Sequence, residues 1–138
     1  MFKKILVPVD GSEYANKAIN YACDIVNKFN SKLTFICIVP PPILFGAEAG
    51  IIDFRPLESA GKAILNESSK LAEKKGFKPI LRIETGQVAD KIIQIAKDEE
   101  FDLIIIGSRG MSAIKSFLLG SVSDKVSHHA SCPVLIVR

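Results

Sequence analysis

Short apolar runs and stripes of helical period take turns along this chain. Ile5-Leu6-Val7-Pro8-Val9 is continuous and β-branched, the pattern of a strand buried on both faces. Behind it Ala15, Ala18, Ile19, Ala22, Val26 and Phe29 recur at steps of three and four. That spacing predicts a helix laid on a sheet, capped by Ser12 and ended at Asn30. Lys32 to Val39 predicts a second strand, centred on Leu33, Phe35, Cys37 and Val39. Leu57 to Lys75 predicts a second helix, with Gly76 at its C-terminal cap. A third strand follows at Lys78 to Glu84, then a helix after Thr85-Gly86 that buries Val88, Ala89, Ile92, Ile93 and Ala96. Leu103-Ile104-Ile105-Ile106, between Asp102 and Gly107, is the fourth strand. Val122, Val126 and Ala130 mark a fourth helix, and Val134-Leu135-Ile136-Val137, entered through Pro133, a fifth strand. Strands alternating with helices, with no repeat and no linker, predict an α/β fold: one doubly wound, five-stranded parallel sheet with right-handed crossovers. The stretch from Pro40 to Pro56 is too long for a plain connection and carries Ile43, Leu44, Phe45, Ile51, Ile52 and Phe54. It reads either as a loop folded over the sheet edge or as a lid or subunit contact.

Composition narrows the class. At 138 residues the chain is one domain, spanning 1–138, and 48% apolar with 24% charged residues excludes a disordered or low-complexity polypeptide. The 18 Lys+Arg against 15 Asp+Glu leave +3 without a basic cluster, which argues against nucleic acid or a membrane surface as partner. Cys23, Cys37 and Cys132 are odd in number and widely spaced, as small hydrophobes in a reducing compartment are. Pro8 and Asp10 interrupt the first apolar run too early for a signal peptide, so the expectation is a soluble cytoplasmic protein.

In a doubly wound sheet, ligands sit beyond the carboxyl ends of the strands where the strand order reverses. The segments that reach that edge are Asp10-Gly11-Ser12, Val39-Pro40, Glu84-Thr85-Gly86 and Gly107 onward. The informative run is Gly107-Ser108-Arg109-Gly110, nine residues from Met111 to Leu119, then Gly120-Ser121 opening the last helix. Free amides and the macrodipole at a helix start favour an anion, and Gly107 and Gly110 let backbone pass close by. From the residues alone two readings stay open. One is a phosphate cradle; the other is a strand ended by Gly107 and a capping box of Ser121 with Asp124.

That Gly-x-x-Gly, nine residues, Gly-Ser spacing resembles the nucleotide motif of the universal stress protein family. The opening Ile-Leu-Val-Pro-Val-Asp-Gly-Ser, the strand Asp102 to Gly107 and the closing Cys132 to Val137 are similar to its other signature blocks. The resemblance implies the ATP-binding branch, strand order 3-2-1-4-5 in a Rossmann-like, adenine nucleotide alpha hydrolase-like fold, and homodimers along the last strand. It further implies that Pro8 and Val9 wall the base, Asp10 reaches the ribose or adenine side, and Val39 offers backbone hydrogen bonds to the adenine edge. Gly107, Arg109 and Gly110 would line the ribose and phosphates, and Gly120, Ser121, Val122 and Ser123 would hold the β- and γ-phosphates. Mg²⁺ or Mn²⁺ would be bound through those phosphates. The implied function is an ATP-binding regulatory or sensor homodimer in stress response. A slow ATP hydrolase or phosphotransferase, with Ser121 and Ser123 open to autophosphorylation, and a nucleotide-free interaction module are the alternatives.

Independently, Val134 to Val137 holds no proline or charge, so an edge strand made of it invites pairing with a second copy. A P-loop fails because no glycine precedes Lys115 at the needed spacing, and a Rossmann dinucleotide fingerprint fails because no Gly-x-Gly-x-x-Gly follows strand one. A receiver domain would need clustered acids where there is only Asp10. His128-His129 read as helix C-terminal residues favoured by the dipole. No residue to orient water on a γ-phosphate is identifiable, so the chain is not read as an enzyme beyond weak ATP turnover.

Overall fold

Ile5, Leu6 and Val7 have no exposed surface at all. They form the middle of β1 (Lys4–Pro8), the central strand of the sheet. The computed structural model describes residues 1–41, 55–111 and 119–138. After β1 come α1 (Glu13–Phe29), β2 (Lys32–Val39), α2 (Arg55–Glu73), β3 (Ile80–Thr85), α3 (Val88–Asp98), β4 (Leu103–Gly107), α4 (Ser121–His129) and β5 (Val134–Val137). The five strands are parallel, in the order β3-β2-β1-β4-β5. The expected α/β class and strand order are thus observed.

Alternate residues of the central strands serve two cores. Ile5, Val7, Phe35 and Ile105 pack with the apolar faces of α1 and α2. Leu6, Ile36, Ile104 and Ile106 pack with α3 and α4 on the opposite side. This is why the runs in β1 and β4 are continuous rather than alternating: each face of the pleat has its own helical layer.

The helix ends follow the chemistry of their caps. The Ser12 side chain accepts the Ala15 N–H at 3.1 Å, and Asn30 closes α1 in the left-handed region at φ 54°. Past α2, Gly76 at φ +88° donates its N–H to Glu73, while Phe77 donates to Ala72 and joins the core. This pair of bonds is the Schellman arrangement expected of a glycine at that place.

Four expectations need correction. α2 begins at Arg55 and takes Pro56 into its first turn, where a missing N–H costs nothing. β3 begins at Ile80 because Pro79 has no N–H to give a neighbouring strand. In α3 the buried residues are Ile92, Ile95 and Ala96, whereas Val88, ahead of the turn that meets the sheet, is 37% exposed. Phe29 is partly exposed at the end of α1 and meets the Phe2 ring edge-on, with centroids 5.3 Å apart. Of the Pro40–Pro56 segment, residues 42–54 lie outside the described residues, so neither reading of it is tested.

Burial pushes the thiols of Cys23, Cys37 and Cys132 above their ordinary range. Cys23 and Cys37 are buried and Cys132 is half-buried. Among the described residues no helix is long and apolar enough to cross a membrane.

Candidate functional site

The chain leaves β1 for α1 on one face of the sheet and leaves β4 for α4 on the other, and that reversal is the switch point beside which sheets of this kind take their ligands. Two segments meet over it. At the first, Pro8 is half-buried, and Val9 donates its N–H to the Ile36 carbonyl at 2.9 Å. The Val9 side chain packs in the core under α1 and α2. The chain then turns through half-buried Asp10 and Gly11, which stands at φ +81°. The Asp10 carboxylate accepts the Ser12 N–H on Oδ1 at 2.9 Å and the Met111 N–H on Oδ2 at 3.2 Å.

The second segment is the glycine loop after β4. Each of its three signature glycines has a close protein neighbour. A Cβ on Gly107 would stand 2.8 Å from the Tyr14 carbonyl carbon and Cβ and 3.0 Å from the Ala15 nitrogen. One on Gly110 would stand 2.7 Å from Asp10 Oδ2, and one on Gly120 would meet the Ser108 oxygen at 3.2 Å and Arg109 Cα at 3.3 Å. The loop is stitched at Ser108. Its N–H donates to Val137 at 2.7 Å, and its carbonyl accepts the Gly120 N–H at 2.7 Å and the Ser123 hydroxyl at 2.8 Å. Residues 112–118 of the nine-residue interval lie outside the described residues.

α4 starts from Gly120 as its N-cap, with no side-chain capping bond, so the Ser121–Asp124 capping box is not formed. Asp124 instead returns its own N–H to the Gly120 carbonyl at 2.9 Å. Helix geometry leaves the N–H groups of Ser121, Val122 and Ser123 without acceptors inside the helix, and the macrodipole makes that end electropositive. Gly120's own amide is not among these donors, because Ser108 holds it. Nor is the Ser123 hydroxyl: the residue is 2% exposed and turned onto Ser108, so only its main-chain N–H remains to offer an anion. Ser121 is exposed and Val122 half-buried.

Two cations stand over one aromatic ring. The Arg109 guanidinium lies 6.0 Å and the Lys17 ammonium 5.7 Å from the centroid of the Tyr14 ring. Tyr14 therefore supports two positive charges beside the loop, a feature that residue spacing did not reveal. Lys17 also pairs with Glu13 at 3.7 Å.

Toward β3, half-buried Val39 accepts the Gly86 N–H at 3.0 Å on its carbonyl. With Pro40, Leu57, Glu58, Ile83, Glu84 and Thr85 it lines an open cavity of about 440 Å³ beyond the ends of β2 and β3. The strand ends signalled Val39, Glu84 and Thr85 in advance. Leu57 and Glu58 did not stand out, because their place depends on where α2 begins. Burial is the larger cause of the raised Cys37 thiol and the Asp10 charge the smaller. Among the described residues, no three or more of His, Cys, Asp and Glu gather where they could hold a metal ion. His128 and His129 are exposed at the far end of α4, with His128 Nε2 3.4 Å from Asp124 Oδ1.

The sequence model of the Universal stress protein family matches residues 1–138. The chain is 32% identical to universal stress protein YxiE of Bacillus subtilis, over the whole length of both. Among solved structures it resembles a universal stress protein in complex with cAMP, at 28% identity and TM-score 0.77, covering 99% of this chain and 97% of that one. It also resembles an Arabidopsis thaliana universal stress protein family protein with AMP bound, at 25% identity and TM-score 0.69, covering 98% and 90%.

Proposed function

Because this chain belongs to the universal stress protein family, we propose that it is an ATP-binding regulatory homodimer of the cytoplasm, acting in stress response. The observation that carries this reading is the start of α4, where the amides of Ser121, Val122 and Ser123 stand without intrahelical acceptors beside the glycine loop. Those amides would hold the β- and γ-phosphates, with Gly107, Arg109 and Gly110 along the ribose and phosphates. Pro8 and Val39 would border the base, and the cavity beyond Val39 gives it room. The cAMP and AMP complexes of the two similar proteins support an adenine nucleotide as the ligand class. A divalent ion, Mg²⁺ or Mn²⁺, belongs to this reading as a companion of the phosphates, since no described carboxylate cluster would hold it.

Denaturing the purified protein and weighing the released small molecules should yield an adenine nucleotide. Titrating nucleotide-free protein with Mg-ATP should release heat and raise the melting temperature. Neither effect would be seen if the chain were a nucleotide-free interaction module.

The second copy would pair along β5. Ile104 and Ser108 donate to the carbonyls of Pro133 and Val137, so those residues face β4. By alternation the main-chain groups of Val134 and Ile136 point outward, along an edge free of charge and proline. Ile136→Pro removes an outward N–H and leaves the β4 ladder intact. Light scattering should report a dimer for the parent protein and a monomer for this variant; a parent monomer at micromolar concentration would end this part of the reading.

A further inference from the structure

Both oxygens of the Asp10 carboxylate are taken by main-chain amides, and the two amides belong to different loops. Ser12 opens α1 on one face of the sheet, while Met111 lies in the connection leading to α4 on the other. The first turn of α1 packs on Gly107 at the root of the glycine loop, and the Asp10 carboxylate adds a hydrogen-bonded link further out, at the loop tips. A carboxylate suits that task, being acceptor-only with two oxygens and forming charge-assisted bonds to N–H groups. The opposite end of the same two strands is tied in the same manner. There the Asp102 carboxylate accepts the N–H groups of Lys3 and Lys4, at 2.8 and 3.0 Å.

Gly110 completes the arrangement. The atoms that a Cβ there would meet within 4 Å, among the described residues, are Oδ2 and Cγ of Asp10, at 2.7 and 3.9 Å. We propose that Asp10 is a positioning residue that fastens the glycine loop across the switch point, and that position 110 is glycine to admit this carboxylate rather than a phosphate. The consequence for ligand affinity rests on the nucleotide reading; the bridge itself does not.

The test is a cycle of parent protein, Asp10→Ala, Gly110→Ala and the double variant, with Asp10→Asn beside them. Gly110→Ala should lower the melting temperature by several degrees in the presence of Asp10 and change it little in the Asp10→Ala background. Each single variant should weaken ATP about tenfold, as loss of one or two charge-assisted bonds implies, and the double variant should be no weaker than Asp10→Ala. Adenosine, measured by displacement of a fluorescent ATP analogue, should lose much less than ATP does in Asp10→Ala. Asparagine offers one oxygen and turns an N–H₂ against the second amide, so Asp10→Asn should follow Asp10→Ala rather than the parent.

Losses that multiply in the double variant would overturn the proposal. So would equal weakening of ATP and adenosine, which would make Asp10 a contact to the nucleoside itself. Should the parent bind neither ligand, the nucleotide reading fails, and the thermal cycle with Met111 amide exchange still decides the bridge. Faster Met111 exchange in Asp10→Ala upholds it, and unchanged exchange refutes it.

Discussion

Gly107→Ala is expected to destabilise the fold by about 2–3 kcal/mol, the upper part of the range for overpacking a close contact. The backbone of Gly107 is not in the left-handed region, so alanine carries no conformational penalty of its own there. The whole effect is steric. The added methyl would lie 2.8 Å from the Tyr14 carbonyl carbon and 3.0 Å from the Ala15 nitrogen. Those are main-chain atoms of the first turn of α1, which no rotamer change can move aside. Relief requires α1 to lift from β4, which would open the core around Ile105 and Ala18. A fall of roughly ten degrees in melting temperature should accompany the loss for a domain of this size. Gly76→Ala is the matched comparison. Its Cβ meets nothing within 4 Å, and only the φ of +88° opposes it, so it should cost about 1 kcal/mol. Equal stabilities for the two variants would show that the contact with α1 is slack.

Gly120→Val is expected to weaken ATP binding by about 100-fold, or roughly 2.7 kcal/mol, with a much smaller fall in melting temperature. At φ −60° and ψ 153° the backbone accepts any residue, so strain is not the cause. In the fold, the first atoms a side chain meets are the Ser108 oxygen at 3.2 Å and Arg109 Cα at 3.3 Å. Valine would push the loop off α4 and stretch the Gly120–Ser108 hydrogen bond, leaving the donors of the first helical turn misaligned with the loop. Gly120→Ala should fall between valine and the parent in a calorimetric titration. An unchanged dissociation constant in the valine variant would detach this loop from the ligand.

Glycine is also where the sequence was least transparent. The strands were readable because β1 and β4 are buried on both faces, which makes their apolar runs unbroken. The ends of α1 were readable because Ser12 and Asn30 act through local chemistry. The spacing of Gly107, Gly110 and Gly120 drew attention to the passage from β4 to α4. It could not tell which neighbour requires each missing side chain, because those neighbours, Tyr14, Asp10 and Ser108, are brought there by the fold. The same holds for Ser123. As a hydroxyl in the first helical turn it suggests a ligand contact, yet tertiary packing turns it onto the Ser108 carbonyl. Ile95 and Val88 exchanged roles in α3 for a related reason: helical period marks a face, but not the turn at which that face first touches the sheet.

The two outer strands are not alike, and the pairing proposed along β5 has no counterpart at β3. β3 is led in by Pro79, and its Arg82 is pinned between Glu84 and Glu99. Arg82, hydrogen-bonded to Glu99, holds the Glu99 carboxyl below its usual range, so the Arg82–Glu99 pair stays charged in mildly acidic solution. A neighbour laid along that margin would meet Pro79, which has no N–H to offer, beside a charged face. Growth of a fibre needs two sticky margins per molecule, one to receive and one to offer. Under the pairing proposed along β5, a chain with a single such margin would stop at a closed pair.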